Sequence, residues 1–330
     1  MRAAVLVEQG QPLAVVDRDD PVPGDDDVLI RVDACAVCRT DLHLRDHEIE
    51  AHGLPRVLGH QVVGHVVARG AGAEAPAVGD RVGVPWLAWT DGECRYCRTA
   101  RENLCPNARF TGRDVDGGFA ELVRADGRFC LPLPASGDAV ELAPLLCGGL
   151  IGYRALRLAG PEVGRLGLYG FGSAAHLVCQ VAVHEGIDVY AFVRRGDGPA
   201  AELARSLGAV WAGPSDGPPP VPLDAAIIFA SAGELVTQAL RAVAPGGTVV
   251  CAGIHMTDIP SFPYDDLYGE RAVRSVANLT REDGRELLAL AGLYRITSHI
   301  TTYPLEQAER ALADLRAGAF VGSAVLQVAT

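Results

Sequence analysis

Apolar and polar positions alternate over short stretches in residues 1 to about 33, a pattern typical of strands joined by turns. Within this segment lie the short apolar stretches 3–7 and 28–32, with the proline- and glycine-containing run 21–24 between them. A period of two places every second side chain on one face of a strand. Because glycine, proline and β-branched residues continue to separate short apolar stretches to about residue 84, we predict a barrel-like β domain here.

From about residue 141 the apolar positions recur at helical spacing instead. Residues 141–158 predict one alanine- and leucine-rich helix, and an apolar strand from Arg165 leads into a glycine turn at Gly170. The same pattern then predicts helices at 174–185, 199–207 and 234–243, alternating with strands at 187–193, 225–230 and 248–252. Strands that alternate with helices are typical of a doubly wound parallel sheet, which is the Rossmann type of α/β domain.

The last fifty residues or so return to a mixed pattern. They predict helices at 281–293 and 305–317 and a final strand at 323–328, short enough to return to the first domain. A chain of 330 residues exceeds one ordinary core. We therefore predict one domain from residues 1–148 and 281–330 and a second from 149–280, with an exposed loop at 213–220.

Charge and apolar content exclude several classes of partner. The formal net charge is −12 and no lysine- or arginine-rich run occurs, so neither a nucleic acid nor an anionic membrane is expected as a partner. The short apolar run at the N-terminus ends at Glu8, unlike a signal peptide. With nine cysteines, an odd number, thiols and metal ligands are favoured over disulfides, and a cytoplasmic location is expected.

One loop concentrates potential metal ligands. Asp91, Cys94, Cys97 and Cys105 are separated by two, two and seven residues, which allows four side chains to converge on a tetrahedral ion. A carboxylate in the first position binds zinc at about 2.0–2.2 Å, so Asp91 is compatible with a structural zinc site, although a weaker one than four thiolates. The alternative is a cysteine-rich loop without metal.

The glycine turn predicts a dinucleotide site. Gly170, Gly172 and Ala175 follow a strand and open a helix, the context in which a pyrophosphate rests on helix N–H groups. At the end of the next strand, where an acid would bind ribose hydroxyls, the chain has Arg194 and Arg195. Two guanidinium groups suit a 2′-phosphate, so NADP(H) is favoured over NAD(H). Alternatively, the two arginines are only a solvated strand end.

Three more possible ligands, Cys38, His60 and Cys147, are widely separated. On their own, a histidine after glycine and a cysteine in an apolar helix are more often structural. Together with the other motifs, however, the chain resembles the zinc-dependent medium-chain alcohol dehydrogenases over essentially its whole length. The motifs occur in the expected order: Cys38-Arg-Thr-Asp-Leu-His43, Gly59-His60, Gly79-Asp-Arg-Val82, the 91/94/97/105 loop, Asn103-Leu-Cys105, Gly117-Gly-Phe-Ala-Glu121, Ala143-Pro-Leu-Leu-Cys147 and Gly170-Phe-Gly172.

The resemblance implies a GroES-like catalytic domain, a Rossmann domain and interconversion of an alcohol with an aldehyde or ketone. Cys38, His60 and Cys147 would hold a catalytic zinc and leave a fourth position for water or the substrate oxygen. Relatives pair through the Rossmann sheet edge, here near residues 273–279, so a homodimer or homotetramer is expected.

The resemblance also implies roles for neighbouring side chains. Thr40 would pass the substrate proton through the cofactor ribose toward His43, and Asp41 would orient His60. Arg39 would contact the cofactor pyrophosphate, and Trp86 and Ile49 would line a pocket for an apolar alcohol or aldehyde. The residues alone leave simpler interpretations open: Thr40 in a turn, His43 on the surface, Trp86 in the core.

One position departs from the family pattern. The glutamate that usually follows the ligand histidine is Gln61 here, which removes one negative charge near the metal. This change is a mild indication of a reductase acting on a conjugated C=C bond, while Thr40 and His43 argue against that activity. A non-catalytic protein that binds dinucleotide and metal is the other alternative.

Overall fold

A computed structural model describes residues 1–134 and 137–328, and the described chain divides into two compact units. The first unit comprises Met1–Cys147, Asn278–Ala289 and Ser298–Thr330, and the second comprises Gly148–Ala277 and Leu290–Thr297. The predicted division differs at residues 278–280, which belong to the first unit, and at residues 148 and 290–297, which belong to the second, where the last of these differences is the largest. Two contacts explain this last difference: the Gln180 side chain bonds the backbone of Thr297, and Tyr294 stacks on His184.

The first unit is built mainly from strands. Its elements before the second unit are β1 (Arg2–Leu6), β2 (Ala14–Asp17), β3 (Asp27–Val37), α1 (Arg39–Arg45), β4 (Arg56–Val57), β5 (Val62–Arg69), β6 (Arg81–Val84), β7 (Leu87–Trp89), β8 (Arg109–Phe110), β9 (Leu122–Asp126), β10 (Leu131–Pro132) and α2 (Ala139–Leu142). Near the C-terminus follow α8 (Arg281–Tyr294), which runs across the boundary, β17 (Ile300–Pro304), α9 (Ala308–Ala317) and β18 (Ser323–Gln327).

The main sheet of the first unit has the order β10-β6-β5-β3-β18-β17, with β9 also paired to β3. Val28, Ile30 and Val32 of β3 are buried while the residues between them are less so, which is the period of two that the sequence shows. Strand β18 pairs with β3, so the chain's end returns to this unit as predicted. Smaller sheets have the orders β2-β1-β4 and β7-β8.

The second unit is a parallel sheet with helices. Its elements are α3 (Gly148–Ala159), β11 (Arg165–Tyr169), α4 (Ser173–His184), β12 (Asp188–Val193), α5 (Gly198–Ser206), β13 (Trp211–Pro214), β14 (Leu223–Ile228), α6 (Glu234–Ala242), β15 (Val243–Cys251), α7 (Tyr264–Leu267) and β16 (Ala272–Ser275). The sheet has the order β13-β12-β11-β14-β15-β16, and every neighbouring pair is parallel. The predicted doubly wound sheet is confirmed.

Several predicted elements differ in detail. The single helix at 141–158 is wrong: α2 ends at Leu142, a 3₁₀ turn spans Ala143–Leu146, and α3 begins after Cys147. Pro144 has no N–H to donate, and Cys147 has non-helical dihedrals, φ −138° and ψ −66°. The helix predicted at 305–317 begins as a 3₁₀ turn over Leu305–Gln307.

Strand boundaries in the second unit also differ from the sequence pattern. The predicted loop at 213–220 begins inside β13, and β15 continues through the expected turn at 245–247, with an irregular register against β14. Among the residues with described coordinates, no single helix is long and apolar enough to span a membrane, and only the broken pair Ala139–Leu146 and Gly148–Ala159 meets that test jointly.

Candidate active site

Three separate segments of the first unit bring Cys38, His60 and Cys147 together. Cys38 follows β3 and is the N-cap of α1, His60 precedes β5, and Cys147 lies at the break before α3. One ligand atom from each of the three lies within 4.8 Å of the others. The two sulfur atoms are 3.9 Å apart, and His60 is completely buried. Two thiols and an imidazole in this arrangement are a donor set for zinc.

Asp41 fixes the orientation of the histidine. Its Oδ1 accepts hydrogen bonds from Nδ1 of His60 and from the Gly59 N–H, both at 3.1 Å, and its Oδ2 accepts the Cys38 N–H at 2.8 Å. Because a carboxylate accepts, Nδ1 keeps its proton, and Nε2 is the nitrogen that binds a metal once it has lost its own. This Nε2 is buried and has no hydrogen-bond partner within the described residues, as expected for a nitrogen that binds a metal.

Gly59 permits the backbone to deliver His60 to this position. Its φ is +92°, and a Cβ there would lie 2.3 Å from the Phe119 ring and 2.9 Å from the Cys35 sulfur. Trp86, which is nearly buried, packs edge-on against His60 with ring centroids 4.8 Å apart and stacks on Phe110. Trp86 is therefore both a core residue and a wall beside the histidine.

The cluster has unusual acid–base properties. The hydrogen bond from Cys147 lowers the pKa of Cys38 well below its ordinary value, against the effect of burial. The same bond, together with burial, raises the pKa of Cys147. Burial lowers the pKa of His60, but Asp41 and Cys38 outweigh it and raise that pKa to about 10. Metal binding would therefore release protons from this site.

The other residues predicted around this cluster occupy different environments. Thr40 is buried, with its hydroxyl 3.6 Å from the Cys38 sulfur, whereas Arg39 is exposed. His43 is buried rather than on the surface, and Ile49 is half-buried and bonds its backbone N–H to the His43 carbonyl at 3.2 Å. Gln61 is buried, and its Oε1 finds no hydrogen-bond partner in the described part of the chain.

The loop at 91–105 forms a second cluster of potential ligands. Single ligand atoms of Asp91, Cys94, Cys97 and Cys105 lie within 4.8 Å of one another. Asp91 Oδ1 accepts the N–H groups of Glu93 and Cys94, and its Oδ2 accepts the Asn107 amide, all at 2.9 Å. The carboxylate thus also holds the loop in shape, a role that the spacing alone did not indicate.

The electrostatics of this loop follow from those contacts. The Cys94 N–H, the Asn107 amide and the Glu93 N–H hold the pKa of Asp91 well below its ordinary value. The backbone N–H of Cys97 lowers the pKa of Cys94, whereas burial raises that of Cys97 to about 11 and also raises that of Cys105. The Asp91 carboxylate is thus favoured as an anion before any metal binds, and Cys94 ionises more readily than Cys97 and Cys105.

The glycine turn of the second unit has the predicted geometry. Gly170, at the end of β11, has φ +87°, and a Cβ there would lie 3.0 Å from the backbone nitrogen of Ala230. Gly172 is the N-cap of α4 without a side-chain hydrogen bond at this cap, and Ala175 is completely buried in the first turn. A helix N-terminus opened by glycines suits a phosphate group.

The two arginines after β12 differ from each other. Arg195 donates Nε and Nη2 to Asp216, each at 3.0 Å, whereas Arg194 is exposed and has no side-chain partner across residues 1–134 and 137–328. Asp197 is the N-cap of α5, and its carboxylate accepts the Ala200 N–H. This nearby carboxylate therefore bonds to the helix N-terminus and not to either arginine. Arg194 is therefore the more available cation at this strand end.

A β-rich unit with a buried thiol–imidazole cluster and a unit with a parallel sheet are the two parts of a zinc-dependent dehydrogenase. Comparison with known proteins supports this class. Residues 24–135 match the model of the alcohol dehydrogenase GroES-like domain. The chain is 46% identical over 324 residues to a probable alcohol dehydrogenase of Mycobacterium tuberculosis, covering 96% of this chain and 93% of that one. An alcohol dehydrogenase of Geobacillus stearothermophilus is 34% identical over 99% of both chains. The chain therefore belongs to the zinc-dependent medium-chain alcohol dehydrogenase family.

Solved structures agree with this assignment. A putative zinc-binding dehydrogenase from Sinorhizobium meliloti, bound to NADP, is 28% identical and superimposes with a TM-score of 0.89 over 99% of this chain and 98% of that chain. An alcohol dehydrogenase from Aeropyrum pernix is also 28% identical, with a TM-score of 0.88 over 99% and 100% of the respective chains. The predicted pairing of a GroES-like domain with a Rossmann domain is confirmed.

Proposed function

We propose that the protein is a zinc-dependent oxidoreductase that interconverts an alcohol and an aldehyde or ketone by hydride transfer to or from a nicotinamide nucleotide. The observation that carries this proposal is the buried His60, whose Nδ1 is held by Asp41 and whose Nε2 lies unpaired among the described residues, beside two thiols. The alcohol dehydrogenases that share 46% and 34% of its residues support the same activity.

Each residue of the cluster has a role in this reaction. Cys38, His60 and Cys147 would hold the zinc by three ligands, which leaves one coordination position open for the substrate oxygen. Zinc, when bound, supplies a Lewis acid for that oxygen, and the nicotinamide supplies the hydride acceptor or donor. Asp41 keeps His60 in the tautomer that binds metal, and Trp86 and Ile49 would form apolar walls that favour an apolar alcohol or aldehyde.

The substrate proton also has to leave a buried site. The Thr40 hydroxyl, beside the Cys38 sulfur, is able to accept the proton of the alcohol while passing on its own. His43 then receives a proton on its imidazole and returns one when the reaction runs toward the alcohol. Thr40 and His43 thus serve as a proton relay, and their retention favours alcohol oxidation over C=C reduction.

The proposed activity is tested with purified zinc-loaded protein, a panel of alcohols and aldehydes, and both nicotinamide cofactors. Formation of reduced cofactor with at least one alcohol is the expected result. If the protein reduces only the C=C bond of conjugated enones, the reductase alternative is favoured. The neutral Gln61 is the residue that suggests this alternative. Dinucleotide binding without turnover of any substrate would favour the non-catalytic alternative.

For the cofactor, we propose NADP(H) rather than NAD(H), bound with its pyrophosphate at Gly170, Gly172 and Ala175 and contacted by Arg39. Arg194 and Arg195 would bind the 2′-phosphate, and the NADP-bound relative supports this choice. Arg195 would have to share its guanidinium between the phosphate and Asp216, so Arg194 carries the larger part of the preference.

Replacing Arg194 by glutamine is expected to raise the KM for NADPH roughly tenfold or more, because one charge-assisted hydrogen bond to the phosphate is lost. The KM for NADH should change little, since that cofactor has no 2′-phosphate. Steady-state kinetics with both cofactors measure the ratio. Arg124→Gln is the control because it removes an exposed arginine on β9 of the first unit, outside both proposed metal clusters. A parent enzyme that prefers NADH would contradict the proposal.

For the loop at 91–105, we propose a structural zinc held by Asp91, Cys94, Cys97 and Cys105. The alternative, a metal-free loop with oxidisable thiols, predicts no zinc beyond the catalytic ion. Asp91→Asn separates the ligand role from the hydrogen-bonding role, because asparagine keeps an acceptor oxygen for the N–H groups of Glu93 and Cys94 but loses the anionic ligand.

We expect Asp91→Asn to release the loop zinc to a chelator roughly tenfold or more faster and to lower the melting temperature by a few degrees. Asp91→Cys supplies a fourth thiolate and should restore zinc retention, although it sacrifices the hydrogen bonds of the carboxylate. Zinc content and thermal unfolding are the measurements. A parent protein with no zinc beyond the catalytic ion would favour the metal-free alternative, and equal zinc retention in the parent and Asp91→Asn would exclude Asp91 as a ligand.

The expected assembly is a homodimer or homotetramer that pairs at the edge of the second unit's sheet. Strand β16 is the last strand on that edge, and Val273 is partly exposed there. The predicted partners remain a small alcohol or aldehyde, with no nucleic acid and no membrane, and the predicted location remains the cytoplasm.

A further inference from the structure

The C-terminal end of α1 folds back on the helix in a defined turn. His47 has a left-handed backbone with φ +63°, its N–H bonds to the Leu44 carbonyl at 3.4 Å, and the Glu48 N–H bonds to the His43 carbonyl at 2.9 Å. A left-handed residue with these two bonds is a Schellman motif. The motif returns residue 48 to the helical turn that carries His43.

The side chains of the same two residues also meet. A carboxylate oxygen of Glu48 contacts Nδ1 of His43, whose side chain is 7% exposed, whereas that of Glu48 is 48% exposed. Because a carboxylate accepts, Nδ1 carries the hydrogen in this contact, and Nε2 becomes the proton-accepting nitrogen of the ring. The backbone turn and the side-chain contact therefore fix both the place and the tautomer of His43.

A third residue holds this turn in place. Gln9 Nε2 donates to the carbonyl groups of Leu44 at 2.6 Å and Ile49 at 2.7 Å, and its Oε1 accepts the Ala51 N–H at 3.1 Å. These three bonds clamp the segment after α1 against the helix end. Glu48 is thus held near His43 by the backbone on both sides of it, although its own side chain is half exposed.

We propose that Glu48 is a positioning residue that keeps His43 in the Nδ1–H tautomer, so that Nε2 accepts the substrate proton in the relay. This inference rests on the proposed function. In alcohol oxidation the O–H bond breaks and an N–H bond forms at Nε2, by way of the Thr40 hydroxyl. The resulting imidazolium is paired with the Glu48 carboxylate until a proton passes to water, and the reverse transfer accompanies carbonyl reduction.

A purely structural role for Glu48 makes different predictions. The Glu48 side chain is half exposed, so the loss of its contact with His43 should cost little stability and should not unfold the protein. The effect of a positioning residue instead disappears when the residue it positions is absent. The variants Glu48→Ala and Glu48→Gln, with Glu50→Ala as the control for an exposed glutamate of the same segment, separate the two roles.

We expect Glu48→Ala to lower kcat for alcohol oxidation roughly tenfold with the KM for the alcohol nearly unchanged. Glu48→Gln keeps an acceptor oxygen for Nδ1 and should lose no more than about threefold. Glu50→Ala should match the parent. In a His43→Ala background, Glu48→Ala should cause no further loss, and a full additional tenfold loss there would overturn the proposal.

The tautomer is measured directly, without turnover. Nitrogen NMR of histidine-labelled protein, with the His43 signal assigned by His43→Ala, should show the Nδ1–H tautomer in the parent and a mixture in Glu48→Ala. An unchanged tautomer in Glu48→Ala would overturn the proposal even if activity fell. If the parent oxidises no alcohol, the proposed function fails, while the NMR result still decides the role of Glu48.

Discussion

Cys38→Ser is expected to remove the catalytic zinc and to lower kcat roughly a thousandfold or more. The substitution replaces a thiolate by a hydroxyl that stays protonated, which leaves His60 and Cys147 as the only ligands of the cluster. The Lewis-acid effect of the metal is worth several kcal/mol, which corresponds to about three powers of ten in rate. The zinc in the loop at 91–105 should remain.

Metal analysis and kinetics test this result together. The zinc content should fall from about two ions per chain to about one. Cys130→Ser is the matched control: it makes the same chemical change in the first unit, where the sulfur donates to the Asp126 carbonyl, and it should keep both zinc ions and full activity. A Cys38→Ser protein that turns over every tested alcohol at the parental rate would contradict the zinc mechanism.

The periodicity of apolar positions was sufficient to predict both domain types. In β3, Val28, Ile30 and Val32 alternate with less buried neighbours, and this regular pattern gives the strand and its inner face. The break between α2 and α3 was not predicted, because the apolar residues from 141 to 158 fit a helix and only Pro144 marks the interruption. The allocation of residues 290–297 depends on Gln180 and His184, distant contacts that no local pattern contains.

The site was predictable to a smaller extent. The spacing of Asp91, Cys94, Cys97 and Cys105 brings four ligands together within one loop, and a local pattern suffices for such a cluster. Cys38, His60 and Cys147 lie on three separate segments, so only the resemblance to a family connected them. Glu48 was missed because its approach to His43 depends on a left-handed histidine, a conformation that the sequence does not indicate.

Gln61 shows how one substitution changes the electrostatics of this site. The amide is buried beside a predicted zinc ligand, and its Oε1 has no hydrogen-bond partner within residues 1–134 and 137–328. A glutamate there would add a buried negative charge at the residue next to His60 in the chain, whereas the amide adds none. Asp41 therefore remains as the buried carboxylate in contact with His60.

Asp41→Ala is accordingly expected to damage both folding and zinc binding. Asp41 is fully buried and accepts three hydrogen bonds, from the N–H groups of Cys38 and Gly59 and from Nδ1 of His60. Each buried group left without a partner costs about 1–3 kcal/mol, so we expect a loss of roughly 3–5 kcal/mol in the free energy of unfolding. Loss of the carboxylate that orients a histidine ligand should weaken zinc binding about 10–100-fold.

Asp41→Asn distinguishes charge from hydrogen bonding at the same position. Its carbonyl oxygen is able to accept from Gly59 and His60, but its NH₂ group would face the Cys38 N–H, so one bond is lost and two donors oppose each other. We therefore expect an intermediate loss of stability. Asp80→Ala, which removes an exposed carboxylate that accepts one backbone N–H at 2.8 Å, is the control and should cost about 1 kcal/mol or less.

Urea unfolding and competition with a zinc chelator measure the two effects separately. Stability should decrease from the parent to Asp41→Asn to Asp41→Ala. Zinc affinity should decrease in the same order, because one carboxylate accepts both the backbone N–H groups and Nδ1 of His60. If Asp41→Ala unfolds like the parent yet binds zinc poorly, the bonds to Cys38 and Gly59 contribute little to folding. If it binds zinc as tightly as the parent, Asp41 does not orient His60.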